Sequence, residues 1–600
     1  MNRLAARLED AVCTVALIAM AVLPLLEIVL RRAFGVGIPA SGPIVQHLVL
    51  WVGFLGAAIA ARDGKLLALA SGTFIPDGRW RRAAEIFSAA VASCMAALLA
   101  WGGMQLLLNE REAGSSFGAG IPTWVAQIAL PLGFALIAAR LVWRASPRWS
   151  GRLLASTGVI VALVLMRSPA LMEARPAWPF LDIIIAAGVL GAPIFAILGG
   201  AAVMLFMIDG VTPAAVLIET YALTTSPTLP AIPLFTLAGF LLAEGGASAR
   251  LLRVFRAWFG WIPGGTAVVC AILCSFFTVF TGGSGVTILA LGGLLFPALL
   301  ADGYPERFSL GLLTASGSLG LLLPPALPLI LYGIVAQLPM EDLFIGGILP
   351  GVLLTSMIAA WGVREGIVSK TRRQAFAFDE AGAAVWAAKW ELAMPFIVLG
   401  VLFSGVATAV EASAVTALYA LGVQTIVHHD VSLRRDLLRV FAECVSVVGG
   451  VLVILGVAVG LTSYLISAQV PARLLEWTQA HISSQVAFLF GLNLFLLVVG
   501  CLMDVFSATV VVVPLIVPLG LAFGVHPVHL GIIFIANLEL GYLTPPVGLN
   551  LFLASYRFKR PLLEVARASL PMMAILGIGV LLITYVPWLT LGILQMLGRT

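Results

Sequence analysis

Residues 543–550, LTPPVGLN, and residues 322–329, LLPPALPL, decide the reading of this chain. Each sets a Pro-Pro pair inside a long apolar segment shortly after a glycine, Gly541 in one case and Gly320 in the other. Proline lacks a backbone donor and its ring collides with the preceding turn, so a helix cannot run straight through such a pair. At membrane depth, a broken helix persists only where it is buried in protein or lines a watery cavity. Such breaks therefore point to a transport site.

The two stretches are in register. Pro324 and Pro325 fall 221 residues before Pro545 and Pro546, and the same offset links Gly320 to Gly541, Gly303 to Gly524 and Pro297 to Pro518. A proline kink explains either pair by itself, but not five helix-breaking positions on one offset. The pattern predicts an internal duplication with one broken helix in each half.

Composition sets the environment. The chain of 600 residues is 61% hydrophobic and 10% charged, with a mean hydropathy of +1.08. Soluble domains carry about 25% charged residues. Apolar runs of about 20 residues recur along the whole length, as spanning helices require. The alternating strands of about ten residues that mark a membrane β-barrel are absent. The fold class is an all-α polytopic membrane protein. The first apolar run, from about Ala11 to Leu30, is long enough to span and shows no clean signal-cleavage site. A net charge of +5 reflects cytoplasmic Lys and Arg and gives no ground for nucleic-acid binding. Cys13, Cys94, Cys270, Cys274, Cys444 and Cys501 all sit in apolar runs, as small buried residues do.

Residues 1–145 predict four helices, at about 11–30, 44–62, 83–108 and 122–143. Basic segments at Arg3 and Arg7, at Arg62 to Arg82, and at Arg140 to Arg152 alternate as expected for a cytoplasmic N-terminus. Arg31 and Arg32 break the alternation, and either snorkel at a helix end or pair with Glu27. Residues 146–178 form a fusion linker with an extra helix, whose apolar run, 153–166, is short for a span but adequate if it starts at the interface. A larger part follows over 179–600: repeat one at 180–363, a polar connector at 364–391 and repeat two at 392–590. Within it Arg250, Arg253 and Arg256 recur at helical spacing, which predicts an amphipathic helix lying in the membrane interface.

Ionisable groups in apolar runs are costly, and by default they are functional candidates. Asp504 is the strongest, with Ser507 and Thr509 close by; Glu411 and Glu539 are weaker. A carboxylate, hydroxyls and freed carbonyls make the oxygen-rich set that a hard cation takes. The competing reading for Asp504 is a simple helix cap. In repeat one the corresponding set is Thr281, Gly282, Gly283, Ser284 and Gly285, with Thr314, Ser316 and Ser318 before Gly320. In repeat two Asn537 and Thr544 join Asp504. Small residues that pack helices would explain the serines and glycines alone; their position beside both Pro-Pro breaks favours ion sites. A G-x-x-x-x-G-K-[ST] loop is missing, which argues against an ATP-driven pump. H-E-x-x-H is missing too, and no catalytic constellation is evident. His526 and His529, in GVHPVHLG, fit an exposed loop.

Residues 180–590 resemble the large membrane subunit of TRAP transporters, the tripartite ATP-independent periplasmic carriers. The resemblance rests on PLFTLAGFLL, WIPGG, FTGGSG, GLLLPPALPLILYG, EASAVTALYAL, LMDVFSA and LGYLTPPVGLNLFLAS. RRAFG, VLWVGFLGAAIAARDGK and IPTWVAQIALPLGFALIAARL resemble the small membrane subunit, and the order is that of the fused form. The resemblance implies an elevator-type transporter with inverted repeats, two re-entrant hairpins and two broken helices. It further implies a multi-pass protein of the bacterial inner membrane. A periplasmic substrate-binding protein would deliver a small organic acid anion, such as a C4-dicarboxylate, and Na+ would be the coupling ion, with no other cofactor. The expected sodium ligands are Thr281, Gly282, Ser284 and Gly320 in one site, and Asp504, Ser507, Thr509, Gly541 and Thr544 in the other. Ser316, Pro325, Asn537, Pro546 and Asn550 are the expected substrate contacts. A proton-coupled carrier with Asp504 as relay is the alternative. The chain departs from the family pattern at Thr281-Gly282-Gly283-Ser284-Gly285, where Ser-Gly-Ser-Ser is common, and at Ala326, where Ser is common; both changes remove hydroxyls.

Overall fold

The computed structural model describes the chain except residues 1–2, 69–74, 76–77, 174, 404–406, 433–435, 546–547 and 600; of 3–7 it describes the backbone only. Pro546 and the Arg434–Arg435 loop thus lie outside the described residues. The described chain is helical, and twelve of its helices are long and apolar enough to cross a membrane.

Two compact units emerge. One comprises residues 1–234 with 434–473, the other 235–433 with 474–600. In the first, helix Ser41–Asp63 packs along Leu437–Ser467, at the places where both carry glycine. A Cβ on Gly56 would come within 2.4 Å of the Val445 carbonyl, and one on Gly449 within 2.2 Å of the Gly56 backbone. Membrane helices gain contact area by such close approach, since lipid offers no hydrophobic drive for them to associate. Helix Trp149–Arg167 runs for 19 residues. The helix extends the apolar run 153–166 by four residues at its start, which gives it spanning length. Glu27 Oε2 accepts the Ile38 N–H at 2.6 Å. Arg62 meets Asp10 at 2.8 Å and Arg140 meets Glu9 at 2.5 Å, so acidic groups before the first apolar run partly neutralise these two arginines.

The second unit carries the duplication. In repeat one, α1 (Gly265–Thr281) and α2 (Ser284–Ala301) form a hairpin, followed by α3 (Glu306–Ser316) and α4 (Leu327–Ala336). In repeat two, α5 (Gln485–Leu502) and α6 (Val505–Ala522) form the second hairpin, followed by α7 (Pro527–Gly541) and α8 (Leu549–Phe558). A shift of 221 residues carries α2 onto α6 end for end. It also pairs Gly303 (φ 91°) with Gly524 (φ 73°), two left-handed turns that an L side chain would strain. Pro324–Pro325, joined by a cis peptide bond, lies in the irregular stretch between α3 and α4. Residues 542–548 separate α7 from α8. The architecture is the expected one: all-α and polytopic, with two hairpins and two broken helices.

Packing around the breaks is crossed. α3 lies on its own hairpin through α1, and α7 on its own through α5, but α8 packs on α2 and α4 packs on α6. Each broken helix thus spans both repeats: its first half belongs to its own hairpin and its second half to the other.

One expectation, for His526 and His529, is corrected in this unit, and two others gain detail. The helix carrying the basic triplet, Ala247–Phe259, turns by 74° from the helix before it, and its arginines are held by protein carboxylates. Arg250 meets Glu391 at 2.6 Å and Asp430 at 2.8 Å, Arg253 meets Glu380 at 2.7 Å, and Arg256 meets Asp302 at 3.1 Å. The spacing alone gave no sign of these partners, which come from distant segments. His529 lies inside α7, 3% exposed, hydrogen-bonded to Thr590 Oγ1 at 2.7 Å, whereas His526 caps that helix. Proline starts α7, so a stretch with a turn-like sequence is a helix N-terminus. The polar connector is in part helical, since Met340–Val368 runs on through Arg364 and Lys389–Phe403 starts before Glu391.

Candidate functional site

The hairpin tips are built by opposite means. After Thr281, Gly282 ends α1 with φ 65° and Gly283 is extended, so α2 starts at Ser284 after two linking residues. At the other tip Asp504 caps α6. Its Oδ1 accepts the Phe506 and Ser507 N–H groups at 2.9 and 3.1 Å, and its Oδ2 accepts the Ser507 hydroxyl at 2.6 Å. A carboxylate at a helix N-terminus gains from the orphan N–H groups and from the dipole. Asp504 is therefore a cap; a carboxylate with two oxygens and about four lone-pair directions retains room for a further ligand.

Behind each tip, a break glycine lets two backbones touch. A Cβ on Gly320 would fall 2.2 Å from the Ser275 carbonyl and 2.8 Å from Val279 N, and one on Gly541 would fall 2.6 Å from Gly500. Val279 and Gly500 are equivalent under the 221-residue shift, so the same contact is made twice.

Repeat one gathers hydroxyls. Thr278 Oγ1 lies 2.8 Å from Thr287 Oγ1 and 2.9 Å from the Gly317 carbonyl, and Thr281 Oγ1 lies 3.3 Å from Thr287 Oγ1. From repeat two, Asn550 on α8 donates to the Thr314 carbonyl at 3.2 Å and to Ser318 Oγ at 3.3 Å. Gly317 faces the Ser284 carbonyl so closely that a Cβ there would sit 3.3 Å from it. In this crowded place Ser284 Oγ, Ser316 Oγ and Asn550 Oδ1 are buried and have no hydrogen-bond partner among the described residues. Buried polar atoms are nearly always paired, so three unpaired oxygens around one hairpin tip call for a ligand. Ala326 and Pro325 are buried at the start of α4.

Repeat two is more committed internally. Thr509 gives its hydroxyl to the Val505 carbonyl at 2.6 Å, and Thr544 gives its own to Leu540 at 3.1 Å. Asn537 donates to Asn493 at 2.6 Å, and Asn493 also accepts from Thr584 at 3.1 Å, which joins three helices. Asn537 thus sits in an interhelical network whose members Asn493 and Thr584 the sequence reading passed over. Asn493, a lone amide in an apolar run, was the available signal. Tyr542 was also missed: its hydroxyl accepts the Val505 N–H at 2.5 Å, tying the break to the Asp504 tip. Glu411 closes a capping box with Thr408. The cysteines are free and buried, and no cluster of three metal-binding side chains occurs among the described residues.

Comparison with known proteins matches residues 181–589 to the DctM component of tripartite ATP-independent periplasmic transporters, and residues 20–151 to the DctQ component. An isethionate TRAP transporter permease protein DctMQ from Oleidesulfovibrio alaskensis is 30% identical, with 91% of this chain and 87% of that one covered. A C4-dicarboxylate TRAP transporter large permease protein from Vibrio cholerae is 31% identical over 60% of this chain and 84% of its own. An ectoine TRAP transporter large permease protein from Halomonas elongata is 32% identical over 67% and 95%.

Proposed function

Since the chain belongs to the TRAP transporter family, as a fusion of its small and large membrane subunits, we propose that it imports a small organic acid anion by sodium-coupled, elevator-type secondary transport. It is a multi-pass inner-membrane protein, and the proposal places its N-terminus in the cytoplasm and a periplasmic binding protein upstream as substrate donor. The observation that carries the reading is the set of unpaired buried oxygens at Ser284, Ser316 and Asn550, together with a second tip that carries a carboxylate, Asp504.

The chemistry follows from charge. An anion entering a buried site needs cations, and α1–α8 carry no lysine and arginine only at Arg307 and Arg557. Sodium supplies the charge: one ion on hydroxyls and carbonyls near Ser284 and Gly320, another on Asp504, Thr544 and carbonyls near Gly541. Hard cations take such oxygen sets. The anion then binds between the tips, with Ser316 and Asn550 as contacts, and the unit moves with ions and substrate together. The family relatives named above carry C4-dicarboxylate, isethionate and ectoine; a C4-dicarboxylate or a comparable acid fits this chain.

The test is uptake of labelled succinate and isethionate into proteoliposomes, with the cognate binding protein and either a sodium or a pH gradient. Sodium should drive uptake, and Asp504→Ala should abolish it while leaving a folded protein. Normal uptake in that variant would sink the ion assignment; uptake driven by the pH gradient alone would favour Asp504 as a proton relay.

A further inference from the structure

The two hairpins share a backbone, but their open ends are fastened differently. At hairpin one, Thr266 on α1 donates its hydroxyl to Asp302 Oδ2 at 2.5 Å, and Asp302 stands at the end of α2, so one carboxylate joins both legs. The same oxygen accepts from Arg256 at 3.1 Å. Under the 221-residue shift, Thr266, Asp302 and Arg256 become Ala487, Phe523 and Trp477. Hairpin two is closed there by Phe488 and Phe523, whose rings stack 4.5 Å apart. The hairpin is thus built a second time with none of these three polar groups at its base. The fold does not require the ionic fastening, so hairpin one has it for another reason.

Arg256 belongs to the helix Ala247–Phe259, and the other end of that helix is fastened as well. The helix follows a 74° bend at residues 245–246. One turn in, Arg250 reaches Glu391 at 2.6 Å and Asp430 at 2.8 Å, and donates to Gln424 Oε1 at 3.3 Å. Asp430 Oδ2 also accepts the Gly246 N–H, inside the bend, at 2.9 Å. Gln424 Oε1 lies so near Gly245 that a Cβ there would fall 2.0 Å from it. Glu391 is 1% exposed and stands three residues after Ala388, where a second helix pair bends by 62°. Arg250 therefore holds both bends. Six residues, about 9 Å of helix, separate it from Arg256. Between them Arg253 meets Glu380 in the open, and an exposed pair of that kind adds little.

Element ends of this kind are where a moving structure absorbs its change of backbone angle. We propose that Arg256 is a positioning residue: through Asp302 it fastens hairpin one to Ala247–Phe259, and that helix carries the hairpin's movement to the two bends held by Arg250. The Arg256–Asp302 pair stays closed through the cycle, and both bends turn together. The second half of this inference, its use in transport, rests on the carrier reading; the fastening does not.

Hydrogen exchange on the purified full chain tests the fastening without any substrate. Segments fastened together open together. Amides of 250–259 and of the hairpin base, at 266–270 and 300–304, should therefore share one level of protection in the wild type. Arg256→Gln should speed exchange in the helix by about tenfold and leave the amides around Phe523 as they were. Independent exchange of helix and base in the wild type, or a variant that exchanges like wild type, overturns the fastening. Uptake of labelled succinate at a fixed sodium gradient tests its use. Arg256→Gln should lower the maximal rate about tenfold with unchanged half-saturating succinate and sodium, and Arg256→Lys should keep most of the rate. In Arg256→Cys combined with Asp302→Cys, a bifunctional maleimide bridging the two thiols should restore the rate; the native cysteines are buried and stay out of its reach. A rate that the bridge lowers would show that the pair must open, and would overturn the role. A fall in melting temperature with no change in maximal rate would make Arg256 merely structural. Coupled exchange in a wild type without any uptake would leave the fastening standing and defeat the carrier reading instead.

Discussion

The two broken helices share a register and a backbone contact, yet their polar groups are used in opposite ways. Repeat one has hydroxyls without a carboxylate, and leaves Ser284 and Ser316 unpaired. Repeat two has Asp504, which caps a helix and keeps room for a further ligand, and hydroxyls already given to backbone carbonyls at Thr509 and Thr544. A duplication preserves what the backbone needs, such as Gly320 and Gly541, and leaves side-chain oxygens to diverge. The site in repeat one would bind an ion by field strength from many weak ligands, the site in repeat two by charge.

The sharpest way to break this contrast is to separate charge from capping at Asp504. Asparagine caps a helix about as well as aspartate, so Asp504→Asn should keep folding stability within about 0.5 kcal/mol of wild type. Sodium-driven uptake should still fall by about a hundredfold, since charge-assisted contacts are worth roughly 1.5–3 kcal/mol. Sodium should also cease to raise the melting temperature through that site, because a ligand stabilises only the state that binds it. Retained uptake would mean that repeat two does not rely on charge.

Next come the paired glycines. Gly320→Ala and Gly541→Ala each force a methyl into backbone at less than 3 Å, and overpacking of this kind costs about 1–3 kcal/mol. The neighbour of Gly320 is a carbonyl of α1 and that of Gly541 is another glycine, so the first substitution should lower the melting temperature more. Equal losses would show that the hairpins yield alike.

How much of this was legible in the sequence depends on the range of the interaction. Proline and glycine act on their own backbone, so the register of Pro324 with Pro545, and the left-handed turns at Gly303 and Gly524, announced the repeat. The capping of α6 by Asp504 is local too. The crossed packing of α4 on α6 and α8 on α2 is not, because an offset pairs equivalent residues and is silent on which repeat each then touches. For the same reason the helical spacing of Arg250, Arg253 and Arg256 gave no sign of their partners: Glu391, Asp430, Glu380 and Asp302 are brought to them only by folding. Glu539 was visible as a charge in an apolar run, but its lack of partners is a property of the packed unit.

Unpaired hydroxyls make a finer prediction. Ser284→Ala and Ser316→Ala remove buried groups with no partner, so they should leave stability unchanged or raise it by up to about 1 kcal/mol, whereas Thr278→Val breaks existing bonds and should cost about 1 kcal/mol. In sodium titrations of uptake the serine variants should still raise the half-saturating concentration, by about three- to tenfold each. If they cost stability and leave sodium affinity alone, these hydroxyls are structural and the contrast between the repeats fails.

The smallest effect, and the most diagnostic of divergence, belongs to Ala326. It is buried at the start of α4, beside the repeat-one break. Serine there adds one oxygen and little volume, at a helix N-cap position where serine is favoured over alanine by about 1 kcal/mol. Ala326→Ser should therefore be neutral or mildly stabilising. If the first site depends on the number of weak oxygen ligands, sodium half-saturation should fall about twofold, and the same substitution combined with Asp504→Asn should restore no uptake, because an added hydroxyl in one repeat cannot replace a charge in the other.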